Sequence, residues 1–157
     1  MSRLARVIRL DESDENVFTV AAEAGEWAIS GAFEFSNWTE DDLTGKQRQA
    51  FANGWLGLES FGRATLVAVA DITEPERAAL TKTLAAHFVA RYGAPSAAAA
   101  EPVAADEIAH MVSLCEDHEA NTLLVVERTL EAVGVREKLR AVKPRSASLD
   151  AFAVHGS

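Results

Sequence analysis

The sequence predicts an α+β domain: a four-stranded sheet, mostly antiparallel or mixed, with helices packed mainly on one face. Three observations carry this. Residues 65–70 (TLVAVA) and 123–126 (LLVV) are short continuous apolar runs, the mark of strands buried on both sides. Residues 3–10 and 26–35 alternate with a period of two, as half-buried strands do. Between residues 73 and 121 the apolar residues recur at helical spacing.

In chain order, RLARVIRL at 3–10 places Leu4, Ile8 and Leu10 on one side and Arg3, Val7 and Arg9 on the other. Ser13 and Glu15 favour a short helix over 13–22, with Val17, Phe18 and Ala21 on its apolar side. A turn at Ala24-Gly25 leads into 26–35, where Trp27, Ile29, Phe33 and Phe35 share a face. Gly31 in that row marks a bulge or close approach. A polar loop follows to Gly45. Residues 46–58 read as a helix with Phe51, Trp55 and Leu58 inward, weakened by Gly54 and Gly57.

After strand 65–70, Thr73-Glu74-Pro75-Glu76 is a capping box with proline in the first turn. Leu80, Leu84 and Phe88 continue that helix, and Gly93 ends it. Residues 94–100 read as a flexible connector or a frayed helical extension, and Pro102 as the start of a second helix with Ile108, Met111, Val112 and Cys115 inward. Strand 122–130 comes next. Residues 135–142 are basic and read as a short helix or a strand, with the helix favoured. Residues 1–145 are expected to form one domain and 146–157 a flexible tail.

All three tryptophans (Trp27, Trp38, Trp55) and four phenylalanines fall in residues 26–69, which marks this stretch as the centre of the core. The net charge of -9 argues against broad nucleic-acid binding, which needs a basic surface. No run is long enough to cross a membrane, and the start of the chain lacks the apolar stretch of a secretory signal. One cysteine, Cys115, permits no intrachain disulfide and fits a cytoplasmic setting.

Chemistry-bearing residues are scattered. His110, Cys115 and His118 have the types for zinc but not the spacing: at 100° per residue Cys115 sits about 140° round the helix from His110. No metal site and no cofactor is expected. No phosphate-cradling glycine motif and no nucleophile elbow occurs. Lys46, Arg48 and Asn53, after the turn at Gly45, could hold an anionic group. Glu26, if buried beside Trp27, could serve as a general acid or base. Trp38 stands in a polar loop (SNWTEDD) without apolar company, as an interface anchor would.

The stretch LTGKQRQAFANGWLGLESFGRATLVAVA resembles an uncharacterised family of small bacterial proteins, over most of residues 3–142. The resemblance implies an accessory role linked to redox-enzyme assembly, and it carries over no catalytic residue. The expectation is a non-catalytic cytoplasmic interaction or accessory protein, a homodimer through Trp38. The alternative is a small-molecule binder or enzyme with a pocket between strand 26–35 and helix 46–58.

Overall fold

Residues 2–9 and 13–142 are described by the computed structural model. The expected tail at 146–157 lies outside them. The strands are β1 (Ser2–Ile8), β2 (Trp27–Ile29), β3 (Trp55–Gly57), β4 (Arg63–Ala64), β5 (Leu66–Ile72), β6 (Leu123–Glu131) and β7 (Gly134–Val142). The helices are α1 (Ser13–Val17), α2 (Gly45–Asn53), α3 (Glu74–Tyr92) and α4 (Ala97–Cys115), with 3-10 turns at Ala32–Phe35 and Glu40–Asp42.

The fold is α+β, but the sheet has seven strands, not four, in the order β4-β3-β2-β1-β5-β6-β7, and every paired strand in it runs antiparallel. Only Thr65 separates β4 from β5 along the chain, yet β3, β2 and β1 lie between them in the sheet. Consecutive Cα atoms are about 3.8 Å apart, so Ala64 and Leu66 lie within about 8 Å. The first five strands therefore coil until the β4 edge returns to β5. On the outer side of β4, the Arg63 amide donates to the Val20 carbonyl and the Ala22 amide to the Arg63 carbonyl, each at 2.8–2.9 Å.

Four other expectations are corrected. Strand 26–35 ends at Ile29, because Gly31 adopts φ 71° and the chain turns into the 3-10 segment at Ala32–Phe35. Helix 46–58 ends at Asn53, and Trp55–Gly57 is strand β3, paired with β2. Of residues 94–100 only 94–96 are a connector: the Ser96 hydroxyl accepts from the Ala99 amide at 3.1 Å and starts α4 at Ala97, five residues before Pro102. Residues 135–142 form a strand, the less favoured of the two readings, not a helix. A two-residue turn ending at Gly134 (φ 127°) folds β7 back along the whole of β6. The α3 reading holds throughout: Thr73 and Glu76 cap each other, and Gly93 closes the helix at φ 73°.

Helices α3 and α4 pack on each other, α4 lies against β1 and β2, and α2 lies against β6. Between them are buried Leu4, Val7, Ile29, Trp55, Leu56, Val67, Val69, Leu84, Ile108, Met111, Leu124 and Val126. Each such side chain contributes roughly 1.5–3 kcal/mol of burial. Trp27 is only half-buried, with the Arg6 guanidinium 4.2 Å above its ring.

Candidate functional site

Two arginines are buried among the described residues, Arg63 on β4 and Arg128 on β6. Arg63 donates to the carbonyls of Ser30 (3.2 Å), Gly54 (3.0 Å) and Gly31 (3.1 Å), and pairs with Glu34. Arg128 donates to the carbonyls of Phe51 and Gly54, both at 2.9 Å, and of Ser30, and its Nε bonds Glu137 at 2.8 Å. The Ser30 hydroxyl donates to the same Glu137. The Phe35 ring lies 4.6 Å from one guanidinium and 5.3 Å from the other.

Burial lowers both guanidinium pKa values, that of Arg128 to about 10, with the Arg63 charge adding to the effect. Each lies beside its own glutamate, Arg63 with Glu34 and Arg128 with Glu137. The cluster pins the end of α2 and the turn at residues 30–31 to the β6–β7 hairpin. Its donors are occupied by backbone carbonyls and carboxylates, which leaves little for a ligand.

Glu26 is also buried, and its carboxylate accepts four bonds: from the amides of Glu23 (2.6 Å), Glu59 (2.8 Å) and Ser60 (2.8 Å), and from the Ser60 hydroxyl (2.7 Å). It clamps the turn between β3 and β4. A Cβ at Gly57 would collide with this carboxylate. Asp14 plays a similar part for α1, accepting from the Thr65 hydroxyl at 2.8 Å.

The other sequence-predicted residues do not converge. Lys46 and Arg48 are exposed on α2. The Asn53 side-chain amide donates to the Val126 carbonyl at 3.0 Å and ties α2 to β6. Trp38 is half-buried, edge-on to Phe35 at 4.7 Å, and lines a hollow with Leu130 and Ala132. Burial pushes the Cys115 thiol up to about 12. Among the described residues, no three His, Cys, Asp or Glu side chains gather to hold a metal ion, and no helix is long and apolar enough to cross a membrane.

Residues 28–29 and 56–57 pair as β2 and β3, and a cavity of about 360 Å³ lies beside them, lined by Glu26, Trp27, Leu58 and Glu59 and, from β1 and α3, by Arg6 and Leu80. A different cavity, of about 360 Å³, opens where α3 runs into α4. Phe33, Phe88 and Tyr92 line one side. Ala94, Ala99, Ala100 and Val103 belong to the connection and the first turns of α4, and Glu107 is the one charged residue in the lining. The three rings stand nearly perpendicular to one another: Phe33–Phe88 at 5.1 Å and 84°, Phe33–Tyr92 at 5.5 Å and 77°, Phe88–Tyr92 at 6.0 Å and 88°. Burial raises the pKa values of Glu107 and Tyr92.

The sequence carried partial signals for these features. Phe88 and Tyr92 fall four apart on one helix face, and Arg128 shares strand parity with Leu124 and Val126. The meeting of Phe33 with α3 had none.

Fold and site together define an α+β protein with an apolar groove and a buried charge cluster committed to its own framework. The chain belongs to a family of unknown function, DUF6505, which matches residues 1–157. No curated protein and no solved structure matches it.

Proposed function

We propose that the protein is a non-catalytic binding protein, and that its site is the groove between α3 and α4, which takes a small organic molecule. One observation carries this reading. The buried charged groups that chemistry could recruit, Arg63, Arg128 and Glu26, are engaged with the protein's own backbone, whereas the groove offers apolar walls and a single carboxylate. Its volume of about 360 Å³ falls at the small end of ligand pockets. An accessory role in cytoplasmic redox-enzyme assembly rests on the resemblance noted above. Residues 1–145 acting as one domain agrees with the coiling of the sheet through Thr65.

The test is a fragment screen read by methyl NMR. Compounds that shift the Val103 and Ala99 methyls, and lose that effect in Val103→Asp with the melting temperature unchanged, support the reading. Hits confined to other surfaces overturn it.

A second reading is a homodimer joined through Trp38. Its support is Val133, 96% exposed at the tip of the β6–β7 hairpin, next to the hollow lined by Trp38, Leu130 and Ala132. In a two-fold pair, each tip could seat in the partner's hollow.

A further inference from the structure

We propose that the ligand of the α3–α4 groove is an organic cation, an alkylated ammonium group on an apolar body. This inference rests on the binding reading above and names the class of molecule bound. The warrant is the combination of walls. Phe33, Phe88 and Tyr92 form three nearly perpendicular rings at one side of the groove. Aromatic ring faces attract a cation through their quadrupole, and quaternary ammonium groups are recognised by such cages. Phe88 is buried, while Tyr92 is 45% exposed.

Glu107 supplies the charge. It lines an otherwise apolar cavity and forms none of the ion pairs found among the described residues. Of the charges acting on it, that of His110 is attractive but comes from an exposed side chain, and those of Glu137 and Asp106 are repulsive. A carboxylate held against apolar walls with only an exposed histidine to balance it is costly, and a bound cation would offset that cost. A neutral apolar ligand would bury the carboxylate further with no compensation. An anionic ligand would meet Glu107 directly, with Glu34 near Tyr92. The nearest positive groups are less available: Arg63 is paired with Glu34, and Arg91 lies on the exposed side of α3.

An isosteric pair that differs only in charge isolates the idea: para-hydroxyphenyltrimethylammonium and para-tert-butylphenol, each titrated while the Val103 methyls are followed by NMR. The cation is expected to bind at least about fivefold more tightly, which corresponds to about 1 kcal/mol. Glu107→Gln, which keeps shape and removes charge, should reduce that preference to less than about twofold. Equal binding of the two compounds, or tighter binding of the phenol, overturns the cation while leaving the groove as a binding site. A preference that survives Glu107→Gln unchanged overturns the assigned role of the carboxylate. Absence of any shift with either compound at about ten millimolar overturns the groove reading, and the inference with it.

Discussion

Arg63 and Arg128 share two acceptors: the carbonyl oxygens of Ser30 and of Gly54 each receive a bond from both guanidinium groups. Two cations are thus held around the same pair of backbone oxygens, with Glu34 and Glu137 balancing them on the outer side. Four segments meet at this point, the 30–34 turn, the end of α2, β4 and the β6–β7 hairpin, and none can leave without stranding buried polar groups.

Removing one member should therefore be severe. Arg128→Met would leave Glu137 without its partner and the carbonyls of Phe51 and Gly54 short of donors. Breaking a buried pair from one side costs about 3–5 kcal/mol. Urea denaturation should show a loss of that size. Arg128→Lys should recover little, because an ammonium cannot reproduce the planar fork. Full stability of the lysine variant would contradict the bonding scheme.

Glu26→Ala tests whether that carboxylate serves structure. It would strand the amides of Glu23, Glu59 and Ser60. The expected loss is about 3 kcal/mol, from the cost of unsatisfied buried donors. Unchanged unfolding by circular dichroism would argue for a chemical role instead.

Cys115 should be inert in the folded protein. It is buried, and a thiol pKa near 12 leaves about one part in 100,000 as thiolate at neutral pH. Ellman's reagent should react only after denaturant is added. Rapid labelling of native protein would refute this.

His87 gives a pH dependence. Its ring stacks on Phe61 at 3.7 Å and 2°, and burial lowers its pKa, aided by Arg91 and opposed by Glu34. The folded pKa lies below the unfolded one, so the unfolded chain binds the proton more readily. The stabilisation is complete above about pH 6.5 and is lost as pH falls through the folded value. His87→Phe keeps a ring against Phe61 and cannot protonate. Its melting temperature should fall less than wild type between pH 7.5 and 5; identical slopes would exclude His87 as the source.

Trp38→Ala should raise the monomer fraction in analytical ultracentrifugation by roughly thirtyfold in the dimer constant, from about 2 kcal/mol for an interface tryptophan. Wild-type protein that is monomeric at high concentration would remove the homodimer reading.

The sequence made legible those elements whose cause is local. The Thr73–Glu76 box, Pro75 and Gly93 set the limits of α3 through nearest neighbours. The alternation at 26–35 misled because Gly31 takes a left-handed turn that lets Phe33 and Phe35 still point inward from a 3-10 segment. Residues 135–142 also alternate, Val135, Glu137 and Leu139 against Arg136, Lys138 and Arg140. Composition pointed to a helix, and pairing with β6 decided for a strand. The candidate site was least legible. Phe33 meets Tyr92, and Arg63 meets Arg128, only because the sheet coils, and no short window of sequence encodes that.

The coiling through Thr65 bears on how the protein avoids aggregating. Strand β4, at one end of the sheet order, is flanked by β3 on one side and by residues 20–22 on the other, so a foreign strand finds no vacant ladder there. Among the described residues, that leaves β7 as the open border. Its Arg136, Lys138 and Arg140 alternate along it and are all exposed. An antiparallel copy centred on Lys138 would set Lys138 opposite itself and Arg136 opposite Arg140, with like charges facing across each step. One border is closed by topology and the other is guarded by charge, so a long regular strand can stay exposed without templating fibres of its own kind.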